Sequence, residues 1–260
     1  MGVILEVKDL KLGFSKKPVL EGVSFNINEG EVFSLVGESG EGKTLLCLSL
    51  TKLLPKDTYY SGEVNFYLPD KKINLLNLSG EELRKFRGTK ISYIFQESLA
   101  SLNPFLRIGY QIEEVLIYHK KFSKKPAYLK SLELLKSVGF KNSQRVYLSF
   151  PHQISGGEAQ RVMIAMALAS EPHLLICDEP TSNLDLTVQL QILKLLKAKQ
   201  QELGFSILFV THDLSLVEKF SKKLAILHQG RIVEEGETEN IFRNPQTGYT
   251  RQLLNSVFKL

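Results

Sequence analysis

The chain has 260 residues, of which 43% are hydrophobic and 23% are charged, as in an ordinary globular protein. Its apolar runs are far shorter than the ~18 residues that a membrane-spanning helix needs, so no such helix is predicted. The formal net charge is +5, but no zinc-finger spacing or basic stripe with interleaved aromatic residues accompanies it, so nucleic-acid binding is not expected.

The first third of the chain alternates strands with one helix. Residues 3–36 alternate apolar and polar side chains between glycine turns, which predicts several strands. After Gly37 the pattern becomes helical as far as Leu54, and Pro55 is expected to stop the helix. Residues 61–68 and 91–96 read as two further strands.

The remainder begins with a helical insertion and then alternates again. Residues 97–153 carry helical periodicity interrupted by Pro104, Pro126 and Gly139. Later elements follow in the order helix, buried strand, long helix closed by Gly204, strand and hairpin: 159–170, 174–180, 186–204, 205–213 and 222–236. Alternation of strands and helices predicts a mostly parallel sheet with helical crossovers. Cys47 and Cys177 lie far apart in apolar stretches, which favours two buried free thiols.

A phosphate-binding loop follows the strand that ends at Val36. The stretch "GESGEGKT" fits the spacing G-x-x-x-x-G-K-[ST] between a strand and a helix, which is the context the motif requires. Its glycines let the backbone N–H groups face an anion. The lysine is expected to reach the β- and γ-phosphates, and the threonine hydroxyl to bind Mg²⁺. The loop residues are Gly37, Glu38, Ser39, Gly40, Glu41, Gly42, Lys43 and Thr44.

Two acids follow the apolar run "LLIC". Because this strand ends in Asp178 and Glu179, their carboxylates are expected at the sheet edge where ligands bind. Asp178 is predicted to hold Mg²⁺, and Glu179 to orient or deprotonate the attacking water. Gln96 and His212 also follow strands. The Gln96 amide is a candidate to coordinate Mg²⁺ or the attacking water, and the His212 ring is a candidate to donate a hydrogen bond to the γ-phosphate. Taken alone, each of these side chains also fits an ordinary polar strand end.

A second glycine turn, "ISGGEAQR", begins a helix at residues 154–161. Ser155, Gly156 and Gly157 at a helix start form an anion site without a lysine or a metal ligand of its own. The same letters also fit a capping box between the serine and Glu158, and the two interpretations are compatible.

These motifs together resemble the ATP-binding subunits of ABC transporters. "GESGEGKT", "IFQE", "ISGGEAQR", "LLICDEPTSNLD" and "VTHD" occur in the family's order over residues 3–255. The resemblance implies one ATP-binding domain over residues 1–260. Its α/β fold has a P-loop, RecA-like core with a mostly parallel sheet, an N-terminal antiparallel β subdomain and an inserted helical subdomain at 97–154. A C-terminal hairpin and helix segment would occupy 231–260.

The resemblance also implies roles that residue patterns alone do not. Two subunits pair head to tail, so that the signature loop at 155–157 closes on the ATP held by the partner's P-loop. Phe14 would stack on adenine, although a core phenylalanine fits equally, and Asp185 would link the two sites. Gln96 would act as a hinge toward the membrane subunits. Glu158 stands where glutamine is usual, and we expect its carboxylate to point away from the partner's nucleotide.

Local stretches resemble importers of peptides and of nickel or metal chelates. They are residues 94–112, 154–169 and 243–254, and the absence of cysteine after Cys177 favours the shorter branch of that group. The implied partners are two permease subunits, a second ATP-binding subunit, identical or different, and a solute-binding protein. The N-terminus lacks a signal-peptide pattern, so we expect a cytosolic chain. The resemblance implies a peripheral position on the cytoplasmic face of the membrane. An exporter ATPase, a soluble ribosome- or DNA-associated ATPase and a non-enzymatic regulatory subunit are the alternatives.

Overall fold

The computed structural model describes residues 2–15 and 17–257, the last of them by its backbone alone. The chain divides into two compact units, one formed by Met1–Leu83 with Gly204–Leu260 and the other by Arg84–Leu203. Helix α2 (Gly80–Phe86) crosses the division in sequence.

The first unit contains an antiparallel sheet built from the N-terminal strands. Its order is β2-β1-β4-β5, with every neighbouring pair antiparallel. Apolar side chains of β1 alternate into the core at Leu5 and Val7 and again at Leu10 and Leu12, on either side of a register shift at Lys8 and Asp9. The strands are β1 (Val3–Phe14), β2 (Lys17–Asn28), β4 (Tyr59–Leu68) and β5 (Lys71–Asn74).

The same unit contains the strand that leads into the phosphate loop. β3 (Val32–Val36) pairs in parallel with β8 (Ser206–Thr211) and β9 (Lys223–His228), and β10 (Arg231–Glu237) completes a hairpin with β9. Every residue of β3 and β8 is buried, as expected for parallel strands covered on both faces. The helices of this unit are α1 (Lys43–Ser49), α9 (Leu214–Phe220), α10 (Thr238–Arg243) and α11 (Gly248–Val257).

The second unit combines two parallel strands with six helices. β6 (Ile91–Ile94) and β7 (Leu174–Asp178) pair in parallel, and β7 is buried throughout. Four helices lie within the predicted insertion at 97–154: α3 (Ser98–Ser101), α4 (Ile108–Lys120), α5 (Lys124–Ser137) and α6 (Ser143–Leu148). α7 (Gly156–Leu168) and α8 (Leu186–Leu203) complete the unit, and α8 ends before Gly204 as predicted.

The predicted α/β class is confirmed, but three helix boundaries were wrong. α7 begins at Gly156 rather than at 159, because Ser155 caps its first turn. α1 ends at Ser49 rather than continuing to Leu54. The N–H of Leu53 donates to the Leu48 carbonyl, and the N–H of Lys52 donates to the Ser49 carbonyl. Because Lys52 also has a left-handed backbone, this Schellman-type closure ends the helix before the proline. α5 begins at Lys124, so Pro126 lies inside its first turn, where no intrahelical N–H bond is lost.

Candidate functional site

The glycines of the phosphate loop meet three different structural requirements. A Cβ on Gly37 would come within 2.4 Å of the Leu227 carbonyl oxygen, so the loop starts too close to β9 for a side chain. Gly40 has φ 92° with open space around it, whereas Gly42 has φ 96° and lies against Leu20. The loop path therefore depends on left-handed backbone at two positions and on close approach at the third.

The loop lysine folds back over the turn that precedes it. Lys43 is 5% exposed, and its Nζ donates to the carbonyl oxygens of Gly37 and Glu38, each at 2.9 Å. Its ammonium is thus held against the backbone of the loop by two hydrogen bonds. Thr44 follows with its side chain exposed.

Two side chains that sequence reasoning did not assign flank this loop. Glu41 contacts the Nδ1 atom of His228 at 3.0 Å, and the N–H of Glu38 donates to the Tyr249 hydroxyl at 3.3 Å. No local pattern signals either contact, because the partners are 187 and 211 residues apart. Tyr249 lies in the stretch 243–254 that supports the resemblance, which was the available signal.

In the second unit, the ends of β6 and β7 bring Gln96 and Glu179 together. Gln96 Nε2 donates to Glu179 Oε2 at 3.3 Å, and the hydroxyl of Ser182 donates to the Glu179 carbonyl at 3.0 Å. Asp178, the last residue of β7, is only 4% exposed. Glu179 has φ 45°, a left-handed conformation that costs free energy for a residue with a side chain. The acids thus end a buried strand, as the sequence predicted.

The signature loop is a capped helix start. The Ser155 hydroxyl accepts from the Glu158 N–H at 3.2 Å, and Glu158 Oε2 accepts from the Ser155 N–H at 3.0 Å, which is the predicted capping box. Glu158 also pairs with Arg145. The Ser155 N–H and Arg145 together lower the pKa of Glu158 against the opposing effect of burial.

The two signature glycines allow α7 to start close to the segment around α8. A Cβ on Gly157 would lie 2.8 Å from Val188 Cγ1, and one on Gly156 would lie 3.4 Å from Leu184 Cδ2. Asp185 caps α8, since its Oδ1 accepts from the Val188 N–H at 3.0 Å. Gly157 and Asp185 therefore have local packing and capping roles that are independent of any ligand, whereas a Cβ on Gly156 would make only an ordinary contact.

Phe14 and His212 lie at strand ends of the first unit. Phe14 is half-buried at the end of β1 and pairs across the strand with Lys17. His212 follows β8 with its side chain exposed, and the next residue, Asp213, caps α9 by accepting from Ser215 N–H at 2.9 Å. The structure thus places Phe14, the P-loop and His212 in one unit. Gln96, the signature loop, both β7 acids and Asp185 belong to the other.

Within the described parts of the chain, 2–15 and 17–257, no helix is long and apolar enough to cross a membrane. The same residues contain no group of three or more His, Cys, Asp or Glu side chains arranged to hold a metal ion. Cys47 and Cys177 are both buried and form no disulfide, as expected. Burial, with the nearby Asp178 charge, raises the pKa of the Cys177 thiol, which therefore remains protonated.

Comparisons with known proteins point in one direction. Residues 20–182 match the family model described as ABC transporter. The oligopeptide transport ATP-binding protein AppD of Bacillus subtilis is 42% identical, over 99% of this chain and 79% of its own. The oligopeptide transport ATP-binding protein OppD of the same species is 43% identical, over 98% of this chain and 72% of its own.

Solved structures agree with these relatives. A dimeric ATP-binding cassette, bound to ADP and phosphate after hydrolysis, has a TM-score of 0.77 at 31% identity, covering 90% of this chain and 99% of its own. CbiO1 of Clostridium perfringens, part of an ABC transporter complex, has a TM-score of 0.78 at 28% identity, over 94% and 92%. The chain therefore belongs to the ABC transporter family, as an ATP-binding subunit that hydrolyses ATP to drive transport.

Proposed function

We propose that this ATPase powers the import of peptides. The observation that carries the substrate class is the near-complete match, at 42–43% identity, to two oligopeptide transport ATP-binding proteins. A dipeptide transport ATP-binding protein of Lactococcus lactis matches equally well, at 43% over 98% of this chain. Of the two importer classes suggested by the sequence, these relatives favour peptides over nickel or metal chelates.

The P-loop residues Gly37–Thr44 bind the phosphates of ATP in this proposal. The buried Lys43 supports it, because an ammonium held by two loop carbonyls supplies positive charge without a further loss of side-chain entropy. Phe14 stacks on the adenine, and its position at the end of β1, where the side chain is only half-buried, is compatible with this role. His212 donates a hydrogen bond to the γ-phosphate.

Three residues are proposed to hold Mg²⁺: Thr44, Gln96 and Asp178. Their hydroxyl, amide and carboxylate oxygens are hard donors of the kind Mg²⁺ prefers, and a single acid suffices because phosphates and water supply the other ligands. When bound, the ion neutralises charge on the phosphate oxygens. The burial of Asp178 at the end of β7 supports its assignment, since a buried carboxylate is costly unless a cation or donors compensate it.

Glu179 orients the attacking water and accepts its proton. The hydrogen bond from Gln96 fixes the Glu179 carboxylate, and the left-handed backbone sets the direction in which the side chain leaves β7. Strained backbone of this kind is concentrated at functional sites, which favours Glu179 over an ordinary surface acid.

The signature loop and Asp185 act across a dimer of ATP-binding subunits. Ser155, Gly156 and Gly157 present a helix start with no lysine of their own, which suits the γ-phosphate held by the partner subunit. Glu158 is engaged by Ser155 and Arg145, so its charge is already compensated within the chain.

The partners follow from the same function. We propose two permease subunits, a second ATP-binding subunit and, indirectly, a solute-binding protein, with this chain peripheral on the cytoplasmic face of the membrane. The helical subdomain at 97–154 docks the permeases, while residues 231–260 complete a single ATP-binding domain. Exposed apolar side chains before and within the subdomain support a protein interface; they are Phe95, Leu99, Phe105, Leu106 and Tyr110.

The test of the catalytic assignment is Glu179→Gln. The variant is expected to bind ATP, to lose at least about a hundredfold in turnover, and to remain a dimer at saturating ATP. Light scattering and phosphate release measure the two effects. Glu171→Gln is the matched control, because Glu171 is an exposed acid with φ 54° in the same unit. A Glu179→Gln chain that stays monomeric at saturating ATP contradicts the residue assignment or dimerisation between identical chains.

A further inference from the structure

The turn between β9 and β10 forms hydrogen bonds with a side chain of the P-loop. Glu41 Oε1 lies 3.0 Å from His228 Nδ1, and Glu41 Oε2 accepts from the N–H of Gln229. Gln229 and Gly230 both have positive φ, 48° and 71°, so the turn itself adopts the conformation that aims this N–H at the loop. Both carboxylate oxygens of Glu41 are thus engaged by one hairpin.

A second contact comes from α11, near the C-terminus. The ring of Tyr249 stacks on His228 with centroids 3.7 Å apart and planes 18° from parallel. Its hydroxyl accepts from the N–H of Glu38 at 3.3 Å. Burial raises the pKa of Tyr249, so the hydroxyl stays a neutral phenol near pH 7. We call His228, Gln229 and Tyr249 the C-terminal clamp.

The clamp is itself anchored to β10. Glu234 accepts from the N–H of Gln246 at 2.9 Å and from that of Thr247 at 3.1 Å, immediately before α11. Burial alone would raise the pKa of Glu234, but these two N–H groups and the threonine hydroxyls lower it, so the carboxylate remains charged. The position of Tyr249 is therefore determined by the same hairpin that contacts Glu41.

The stretch from Glu38 to Gly40 is exposed, although the Glu38 carbonyl accepts from Lys43 Nζ. A Cβ on Gly40 would meet nothing within 4 Å. A loop whose N–H groups must converge on an anion loses affinity if binding has to order it first. Support at Glu38 and Glu41 supplies that order before the nucleotide arrives.

We propose that His228 and Tyr249 are positioning residues that hold the P-loop in its phosphate-binding shape, so that the C-terminal segment sets nucleotide affinity. This inference rests on the proposed assignment of the P-loop as the phosphate site. The expected signature is a change in nucleotide affinity and KM with kcat preserved, since neither side chain reaches the reacting atoms.

Substitutions that retain part of each contact test the clamp in the full chain. Tyr249→Phe keeps the stacked ring and removes the acceptor for Glu38, while His228→Phe keeps the ring and removes the contact with Glu41. Each is expected to weaken ADP binding by roughly fivefold, the effect of one net hydrogen bond, and to raise the KM for ATP with kcat within about twofold. His228→Asn, which restores a donor, is expected to recover part of the affinity lost in His228→Phe.

Tyr67→Phe is the matched control. Tyr67 lies in the same unit, and its hydroxyl donates to Glu6 Oε2 at 2.9 Å, away from the P-loop. Calorimetric titration with ADP and thermal unfolding without nucleotide are measured for every variant. ADP binding by Tyr249→Phe and His228→Phe as tight as that of the wild type, or equal weakening in Tyr67→Phe, overturns the proposal.

Lys43→Ala separates this inference from the function on which it rests. Loss of ADP binding in Lys43→Ala together with unaltered binding in both clamp variants rejects the clamp alone. Retention of ADP binding in Lys43→Ala rejects the P-loop as the phosphate site, and the clamp with it. The combination that supports both is loss of binding in Lys43→Ala with graded weakening in the clamp variants.

Discussion

At the scale of single residues, Glu158 shows how an unusual side chain is accommodated in the signature loop. Its carboxylate caps the Ser155 N–H and pairs with Arg145, so it turns back onto its own helix start. The expectation that this charge points away from the partner's nucleotide came from the resemblance. The physical basis is a capping box, which could be read directly from the spacing of serine and glutamate.

Substitutions of Glu158 separate the cap from the charge. Glu158→Gln keeps an acceptor for the Ser155 N–H but loses the ion pair with Arg145, whose side chain is half exposed. The free energy of unfolding should therefore fall by less than about 1 kcal/mol. Glu158→Ala also loses the cap and should cost about 1 kcal/mol more. Urea unfolding measures both, and equal losses in the two variants would contradict a capping role.

The same pair has a defined pH dependence. The pKa of Glu158 is lowered in the folded chain, so its contribution to stability is present above the ordinary value of 4.5 and is lost as the pH falls below it. The difference in stability between wild type and Glu158→Gln should therefore narrow below that pH.

At this scale the structure confirms predictions of local geometry that depend on local spacing. The P-loop, the β7 acids and the capping box are each set by residues within a short window. The roles of His228 and Tyr249 were not predicted, because their contacts depend on how distant strands and α11 pack. The spacing of residues in the sequence does not encode that packing. The different constraints on Gly37 and Gly40 were also hidden, since one depends on the neighbouring β9.

At the scale of elements, long periodic segments were predicted well and short ones were not. α8 lies within one residue of the predicted span 186–204. α2, α9 and α10 have only six or seven residues, too few to establish a helical period, and none of them was predicted as a separate helix. The early end of α1 arose from its Schellman-type closure, for which Lys52 provides no glycine signal.

The packing of α4 on α6 provides an element-scale prediction. A Cβ at Gly109 would lie 2.1 Å from the Tyr147 ring, whereas one at Gly80 in α2 would meet nothing within 4 Å. Gly109→Ala should therefore destabilise the chain by about 1–3 kcal/mol through overpacking. Gly80→Ala should leave stability unchanged or raise it by up to ~1 kcal/mol through helix propensity.

Chemical denaturation of the two glycine variants measures the difference. Hydrogen exchange of the α4 and α6 amides then shows whether the loss in Gly109→Ala is local to that contact. Equal stability of the two variants would mean that α4 and α6 separate at little cost.

At the scale of the whole molecule, the order of five motifs was enough to predict the family. The fold class followed from alternating strands and helices and is confirmed by the solved relatives. The division into Met1–Leu83 with Gly204–Leu260 and Arg84–Leu203 was not predicted, because the strands in both parts have the same buried, apolar character.

The proposed partners are tested by capturing the tagged chain from detergent-solubilised membranes and identifying bound proteins by mass spectrometry. Two permease chains, with or without a different ATP-binding subunit, are expected. Phe105→Ser should reduce permease recovery, because Phe105 is 87% exposed within the proposed docking subdomain. Leu203→Ser, at a 51% exposed position outside that subdomain, is the control. Recovery of ribosomal or DNA-associated proteins instead would contradict the transporter assignment.

The left-handed backbone at Glu179 has a consequence for how this sequence can change over generations. Glycine would relieve the strain at φ 45°, so selection for thermal tolerance alone would favour losing the carboxylate. If Glu179 has the catalytic role that we propose, selection for transport opposes that exchange. A lineage released from the need to hydrolyse ATP would then be expected to drift toward glycine at this position early, gaining stability as it loses ATPase activity.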